Sequence, residues 1–580
     1  MPLEEWLRAH RRQVLWTLVA MSLAVRTVYY AELSRGPCLW AHKWTESDNA
    51  FFDRWAREIA GGDWLTDQEL HPMVSWNYAI AKMYFARHPE KLAQFRPAGA
   101  PPGDETAAAT ALWNHWFGGK TFHQEPLYAY AIAVTYHVFG QDVRWVFAWQ
   151  MALGVLTNIM LWDLARRYFG ETAGALAGLM ILFFAPLYYL ELTLVRTTLL
   201  TFLTIAMLYC AERAMERKSA RAWAGTGVVC GLGLLGQMTL GGFLVLCLAA
   251  MAWKYRRDLK TGARFAVAML AGVLIALSPA VARNLAVGVS PFALSTGGPI
   301  TIVGSFDASA TPEMGGGGFN FGRIEQAMEE SDGKFLPALK LSVGSHQSAW
   351  SFAGLLARKF AKYWQWYEEP DNQNFYYFRL YSRMLRWSLT LYLLAPLIIA
   401  GMAIALPAIE RCALLYAVAA TGMAMGLVGS PVARYRAGYL AAGIPFAAFA
   451  VVRAFEWWRA REYGPAAAVS IGVVAMFLWT SRPLPQRRPE IRASDYLAPF
   501  YFYWIPEHTA ATQSGQWRRA AEILEDSLRV VPEDVGRNRE LAQAYSQVHG
   551  QLAQDLFQAG DPTGAAREAQ RAQELERVAR

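Results

Sequence analysis

The residues that could do chemistry are a few charges set against long apolar runs. Asp48 lies in Thr45-Glu46-Ser47-Asp48-Asn49-Ala50, just after the first apolar run and at the start of a helical pattern. A carboxylate there can accept the proton of an attacking hydroxyl. Asp also favours the first turn of any helix, where it meets the positive end of the dipole, and these six residues alone require nothing more. Arg434 and Arg436, in Arg434-Tyr435-Arg436, precede a late apolar run; guanidinium forks match phosphate oxygens. Glu191 sits in an apolar run with Arg196 five residues on, so an intramembrane pair is the structural alternative to a ligand role. Arg144 and Arg283 flank apolar runs and could anchor helix ends by snorkelling. A carboxylate for the acceptor, cations for a leaving phosphate and a groove for a lipid tail are what glycosyl transfer from a lipid-phosphate donor requires.

Metal and redox chemistry have weaker support. Six of the ten His fall between His42 and His137, without the HxxH or HxxxH spacing of a zinc site. A divalent metal stays possible, and no cofactor is indicated. Cys38, Cys210, Cys230, Cys247 and Cys412 form no CxxC pair, so neither a disulfide framework nor a thiolate metal site is suggested.

The elements that must position these groups are set by composition. The 580 residues are 54% hydrophobic and 18% charged, against about 25% charged in soluble domains. The chain therefore reads as an all-α polytopic membrane protein. Helices crossing the bilayer core need about 20 apolar residues. Eleven segments qualify, more or less: 13–33, 144–165, 172–190, 192–211, 222–237, 240–254, 264–284, 385–407, 411–429, 435–455 and 464–480. The first is preceded by Arg8, Arg11 and Arg12. A cleaved signal peptide is the alternative, but the run is long, holds Arg26 and lacks a small-residue cleavage site, so it reads as an uncleaved span.

The stretch 126–140 is too short to cross comfortably, and the positive-inside bias agrees. If it does not cross, Arg166 and Arg167, Arg213 to Arg221, Lys254 to Lys260 and Arg453 to Arg461 all lie inside. If it crosses, the first three clusters are exported. The net charge of +8 is thus mainly an orientation signal, and a nucleic-acid partner is excluded. Arg434 and Arg436 end up outside, as does the cluster of Arg482, Arg487, Arg488 and Arg492. An even span count with the C-terminus inside is the alternative.

In this topology residues 34–143 and 285–384 form outer loops. The first carries helical patterns at 48–60, 73–87 and 105–117, the last two rich in Trp and Tyr, as expected at headgroup level. The second carries the Gly-rich stretch Met314 to Gly318 and an amphipathic helix around 348–366. The domains expected are a membrane domain at 1–481, a Pro- and Arg-rich linker at 482–506 and a helical unit at 507–580. In that unit Gly515-Gln516-Trp517, Ala520, Leu528 and Pro532 look like a tetratricopeptide core, with Gly560-Asp561, Ala565 and Ala572 repeating its start. The offset of 45 residues from Gly515 to Gly560 is longer than the roughly 34 of that repeat, and a plain helical cap is the alternative.

In order along the chain, Asp48-Asn49-Ala50-Phe51-Phe52-Asp53-Arg54-Trp55, Phe122-His123-Gln124-Glu125-Pro126-Leu127, Arg144, Leu164-Ala165-Arg166-Arg167-Tyr168-Phe169-Gly170 and Ala185-Pro186-Leu187 with Glu191 resemble the GT-C glycosyltransferases, and among them the protein O-mannosyltransferases and lipid A aminoarabinose transferases. Arg283-Asn284, Ser295 to Pro299, the stretch Lys359 to Asn372 and Arg434-Tyr435-Arg436 resemble them more loosely. The resemblance implies a catalytic or acceptor-orienting role for Asp48, and matches Glu125, Arg144 and Glu191 to substrate-binding positions. Glu125-Pro126 stands where many relatives have two prolines. It implies a polyprenyl-phosphate-linked sugar donor, a lipid, glycan or protein acceptor, and a site at the outer face of a bacterial inner membrane, with Arg434, Arg436 and Arg144 at the donor phosphate and the loop 295–320 closing over it. Residues 507–580 would offer a protein partner a surface. A lipid-linked-sugar flippase and a non-catalytic scaffold are the competing readings.

Overall fold

The computed structural model describes residues 3–101, 104–312, 320–483, 490–531 and 538–580. It is helical throughout the described residues, apart from one isolated bridge between Phe184 and Leu389. Two compact units emerge. The first comprises Met1–Arg26, Phe51–Asp371 and Ser388–Pro483; the second comprises Thr27–Ala50, Asn372–Trp387 and Leu484–Arg580. The division differs from the linear one expected, because two short segments from the membrane part fold with the C-terminal residues.

Seven helices of the described residues are long and apolar enough to cross a membrane: Arg11–Leu33, Val143–Phe169, Thr197–Arg217, Leu259–Ala286, Leu391–Ala408, Ala433–Arg459 and Tyr463–Thr480. Shorter apolar helices accompany them, among them Leu127–Phe139, Glu171–Leu182, Met238–Lys254 and Ala413–Val428. Leu127–Phe139 has 13 residues and so reaches about 20 Å, short of the roughly 30 Å apolar core.

Within the first unit five of these seven long helices share one apolar core that includes Leu161, Ile205, Trp223, Met269, Ile398 and Phe446. Side-chain size sets how closely two of these helices cross. A Cβ on Gly227 would overlap the Met269 carbonyl, so Ala220–Gly236 and Leu259–Ala286 can meet backbone to backbone only with glycine there.

The expected continuous span at 172–190 is broken. Its helix ends at Leu182, and Ala185–Tyr188 and a 3-10 turn at Tyr189–Leu192 follow before the next helix begins at Thr197 rather than 192. Freed backbone groups at the break are satisfied by protein: the Ala185 amide donates to the Leu389 carbonyl at 2.9 Å and the Leu389 amide to the Phe183 carbonyl at 2.7 Å. Irregular backbone at membrane depth is tolerated only under such cover. The break is what turns Glu191 inward.

The two long loops of this unit build a core of their own. Helices Ser75–Arg87, Glu105–Trp116, Gly298–Phe306, Phe321–Ser331 and Phe335–Gly344 bury Tyr84, Leu112, Trp113, Val303, Met328 and Ala338 together. Much of the aromatic content of 73–117 is thus spent on a shared core. The Trp113 indole donates to the Asn77 carbonyl at 2.8 Å, and Arg87 bonds Glu325 across the loops. Arg283, at the end of its helix, donates to the carbonyls of Leu65, Thr66 and Lys120 and lies 4.0 Å from the Phe122 ring. It therefore ties down the first loop, where the sequence allowed a snorkelling anchor.

His71 gives this loop core a pH dependence. Its ring is buried, bonds the Gly119 carbonyl at 2.7 Å and packs on Phe117, and burial holds its pKa down at about 4. The unfolded ring titrates near 6.5. Between those values the unfolded chain binds the extra proton, so stability is full above pH 6.5 and is lost as pH falls toward 4. The loss expected is about 3 kcal/mol. Melting curves of the wild type and of His71→Gln between pH 4 and 7 check this: the variant's midpoint should be the flatter with pH. Parallel curves would exclude His71 as the origin.

The second unit is held by contacts among three separated stretches. Ser382 donates its hydroxyl to Glu32 at 2.5 Å, and the Asn374 side chain donates to Asp495 at 2.7 Å and to the Glu490 carbonyl at 2.8 Å. Helices Ile505–Gln513 and Trp517–Leu528, then Arg539–Gln558 and Pro562–Ala579, form successive hairpins, with positive-φ Gly515 and Gly560 at their turns. Ala520, Leu524, Tyr545 and Leu552 are buried. Pro532, and with it the end of the suggested repeat, lies outside the described residues, as do Met314 to Gly318, Arg487 and Arg488.

Candidate active site

In the second unit Asp48 opens the helix Asp48–Ala60. Its amide donates to the Asn372 side-chain oxygen at 2.6 Å, and the Asn372 side-chain nitrogen donates to the Asp48 carboxylate at 3.2 Å. One amide group therefore fixes both the backbone and the side chain of Asp48, and the helix N-terminus favours the ionised carboxylate. Ser47 supports the turn by donating to the Trp44 carbonyl at 2.6 Å while accepting from the Ala50 amide. Asn372 also lines a small cavity. A carboxylate oriented by a hydrogen bond beside a cavity can act as a general base.

In the first unit Arg434 lies in the first turn of Ala433–Arg459. Its Nε bonds Asp371 at 2.7 Å and an Nη donates to the Tyr435 hydroxyl at 3.0 Å; its side chain is 8% exposed. A cation opposes the positive end of a 27-residue helix. Asp371 offsets part of that repulsion, and an anionic ligand would be attracted by both the guanidinium and the helix end.

A buried bracket carries Asp371. Lys359 and Lys362 come from the amphipathic helix Ala349–Tyr363. The Lys359 ammonium donates to the carbonyls of Leu427 and Gly429 at 3.2 and 2.6 Å, and Lys362 pairs with Glu369 at 3.1 Å. Burial brings the Lys359 pKa down to about 7. Arg436 is 1% exposed, and its two terminal nitrogens donate to the carbonyls of Lys362, Tyr363, Gln365 and Tyr367 and to Glu368. Where the sequence suggested a phosphate ligand, Arg436 holds the backbone of the acidic turn. The reason is its place two residues after Arg434 on the helix, which turns its side chain into the core.

The remaining positions pair differently from the sequence expectation. Glu191 bonds Arg26, not Arg196, at 2.6 Å; the two are 3% and 7% exposed. They line a small cavity with Asn158 and Thr198. Arg196 instead pairs with Glu125, whose other oxygen accepts from the Met238 amide at 2.8 Å. Glu125 thereby joins the entry of Leu127–Phe139 to the loop at 236–238. Arg144 has a side chain 70% exposed, bonded to Asp142 in its own turn, a surface cap in place of a buried anion seat. Among the described residues no group of three or more His, Cys, Asp or Glu is placed to hold a metal.

Arg26, Asp371 and Gln373 were not singled out by sequence reasoning. The dense polar run Glu368-Glu369-Pro370-Asp371-Asn372-Gln373-Asn374, next to a loop proline, is the signal that could have found two of them.

Residues 123–282, which include Glu125, Arg144, Glu191 and Arg196, match the family described as dolichyl-phosphate-mannose-protein mannosyltransferase. The chain resembles the GT-C glycosyltransferases. Asp48 and Arg434 lie outside the matched segment of this GT-C-like chain. Among solved structures it is similar to the oligosaccharyltransferase of Archaeoglobus fulgidus in its apo form (14% identity, TM-score 0.41, 83% of this chain and 57% of that one). It is also similar to the same organism's AglB in complex with an inhibitory peptide and a dolichol-phosphate (12%, 0.41, 91% and 60%). A third likeness is to ArnT from Cupriavidus metallidurans bound to undecaprenyl phosphate (16%, 0.28, 76% and 78%). The chain thus spans about three fifths of the length of the oligosaccharyltransferases it matches. No curated protein gave a significant match.

Proposed function

We propose that this protein is a membrane glycosyltransferase that moves a sugar from a polyprenyl-phosphate donor to a hydroxyl acceptor at the outer, periplasmic face of a bacterial inner membrane. The observation that carries the reading is the Asp48 carboxylate, fixed by Asn372 at a helix N-terminus beside a cavity. The mannosyltransferase-family segment at 123–282 supports the reaction class and the lipid-phosphate donor.

In this mechanism the acceptor oxygen attacks the anomeric carbon with inversion. The carbon–oxygen bond to the phosphate breaks, its electron pair stays on the phosphate oxygen, and the acceptor proton passes to Asp48. Arg434 neutralises the charge growing on the phosphate. Arg436, Lys362 and Lys359 are positioning residues, because they hold the turn that carries Asp371. Residues 507–580 offer helical hairpins for a protein partner.

Arg434→Ala is expected to weaken binding of undecaprenyl phosphate to the detergent-solubilised protein by about 10- to 100-fold, the value of one or two charge-assisted hydrogen bonds. Arg434→Lys should recover part of that, since it keeps the charge and loses the fork. Unchanged affinity in the alanine variant would remove Arg434 from the donor site. The flippase alternative is separated by the same preparation: it predicts transport of the lipid-linked sugar in vesicles without its consumption.

A further inference from the structure

Helix Ala349–Tyr363 of the first unit has its polarity reversed. Leu355, Lys359 and Lys362 recur at four- and three-residue spacing and are buried, so they share the inward face. Trp350, Ala353, Ala357 and Phe360 recur in the same way on the opposite face and are exposed, Trp350 by 85% and Phe360 by 40%. That outward face carries no charge, and the exposed Arg358 stands at its edge. Lysine is almost never fully buried unless it is paired, because water would hydrate its ammonium. Turning two lysines inward and a tryptophan outward is unfavourable beside water. It becomes favourable where the outside is hydrocarbon, since only the protein can then supply an ammonium with acceptors.

The neighbours of the helix fix its level. The Phe360 ring lies 6.4 Å from the ring of Trp479. Trp479 is the penultimate residue of Tyr463–Thr480, an apolar helix whose spanning window is only 6% buried. Just past the amphipathic helix, the Trp366 amide donates to the Thr480 carbonyl at 3.1 Å and its indole to the Arg482 carbonyl at 3.0 Å. Lys359 is bonded to the carbonyls at the end of Ala413–Val428. Aromatic residues gather at the headgroup level, where apolar helices end. The helix is thus clamped to the ends of two apolar helices, and its outward face continues the lipid-facing surface of one of them.

We infer that helix Ala349–Tyr363 is a lipid seat, its Trp350–Phe360 face resting about 5–10 Å into the headgroup–acyl boundary of one leaflet. Arg358, at the rim, reaches back to the lipid phosphates as long basic side chains do. The inward face carries that depth into the protein: Lys362 pairs with Glu369, and Arg436 bonds the carbonyls of Lys362 and Tyr363. The turn that bears Asp371 is therefore tied to a helix whose level the bilayer sets. The lipid seat does not depend on the glycosyltransferase reading.

The test uses the full chain in nanodiscs of phosphatidylethanolamine and phosphatidylglycerol. Ala353→Cys and Ala357→Cys, each labelled with the fluorophore NBD, report on the outward face. Glu90→Cys, in the loop helix Pro89–Phe95 and at a side chain 67% exposed, is the water-facing reference. The wild type, treated in the same way, gives the background from its five cysteines. Lipids bearing a nitroxide on the acyl chain should quench the labels at 353 and 357 several-fold more than the label at 90, and aqueous iodide should do the reverse. A label at either outward position that is open to iodide and untouched by the nitroxide overturns the inference. So does a label shielded from both quenchers, which would mean that a second copy or another protein covers the face.

Discussion

Asp48→Asn is expected to cut the rate of sugar transfer by about 10²- to 10⁴-fold, the range of general-base catalysis. The substitution is nearly isosteric. The residue-48 amide can still donate to Asn372, and the new side-chain oxygen can still accept from the Asn372 nitrogen, so both contacts at 2.6 and 3.2 Å have a counterpart in the variant. Folding and donor affinity should therefore be preserved, and the loss should appear in kcat. Asn372→Ala should give a smaller loss of the same kind, because it frees the carboxylate without removing it. Consumption of a radiolabelled polyprenyl-phosphate sugar measures both. A rate unchanged in Asp48→Asn would show that the proton goes elsewhere.

Glu191→Ala should destabilise the first unit by about 3–5 kcal/mol, the cost of leaving one partner of a buried ion pair uncompensated. Arg26 is 7% exposed; one terminal nitrogen already donates to the Ser22 hydroxyl, and the other depends on Glu191. The pair is also tightly caged. A Cβ on Gly154 would overlap Glu191 and Arg26, so Gly154→Ala should destabilise by the same route. Removing both charges, in Arg26→Met with Glu191→Leu, is expected to restore most of the stability, since an apolar pair of similar volume leaves no charge stranded. Thermal unfolding in lipid nanodiscs reads the three variants. A double mutant as unstable as Glu191→Ala would mean that the cavity needs its polarity rather than its pairing.

Much of the scaffold was legible because its causes are local. Apolar runs report burial in lipid whatever they pack against, and the helices Arg11–Leu33, Val143–Phe169 and Ala433–Arg459 stand where the runs predicted them. Asp48 heads a helix, as its place at the start of a helical pattern implied. The break after Leu182 was not legible: its sequence is as apolar as a span, and only the Leu389 backbone that completes its hydrogen bonds makes the irregular path stable. The aromatic residues of 73–117 misled in a similar way, since Trp serves an interfacial belt and a loop core equally well.

The amino-acid sequence by itself determined the solvent, the helical class, the orientation bias and the chemical types available, because hydropathy and charge act residue by residue. It also marked Asp48 as a candidate proton acceptor. Only the tertiary structure decided which charges meet. Glu191 has Arg196 five residues away and pairs with Arg26, 165 residues distant; Asp48 is held by a residue 324 positions later; and Arg436, alike in type to Arg434, turns inward to hold backbone carbonyls. Such choices depend on the geometry of packed helices. Two arginines two residues apart point to different surroundings on a helix, and composition has no access to that difference.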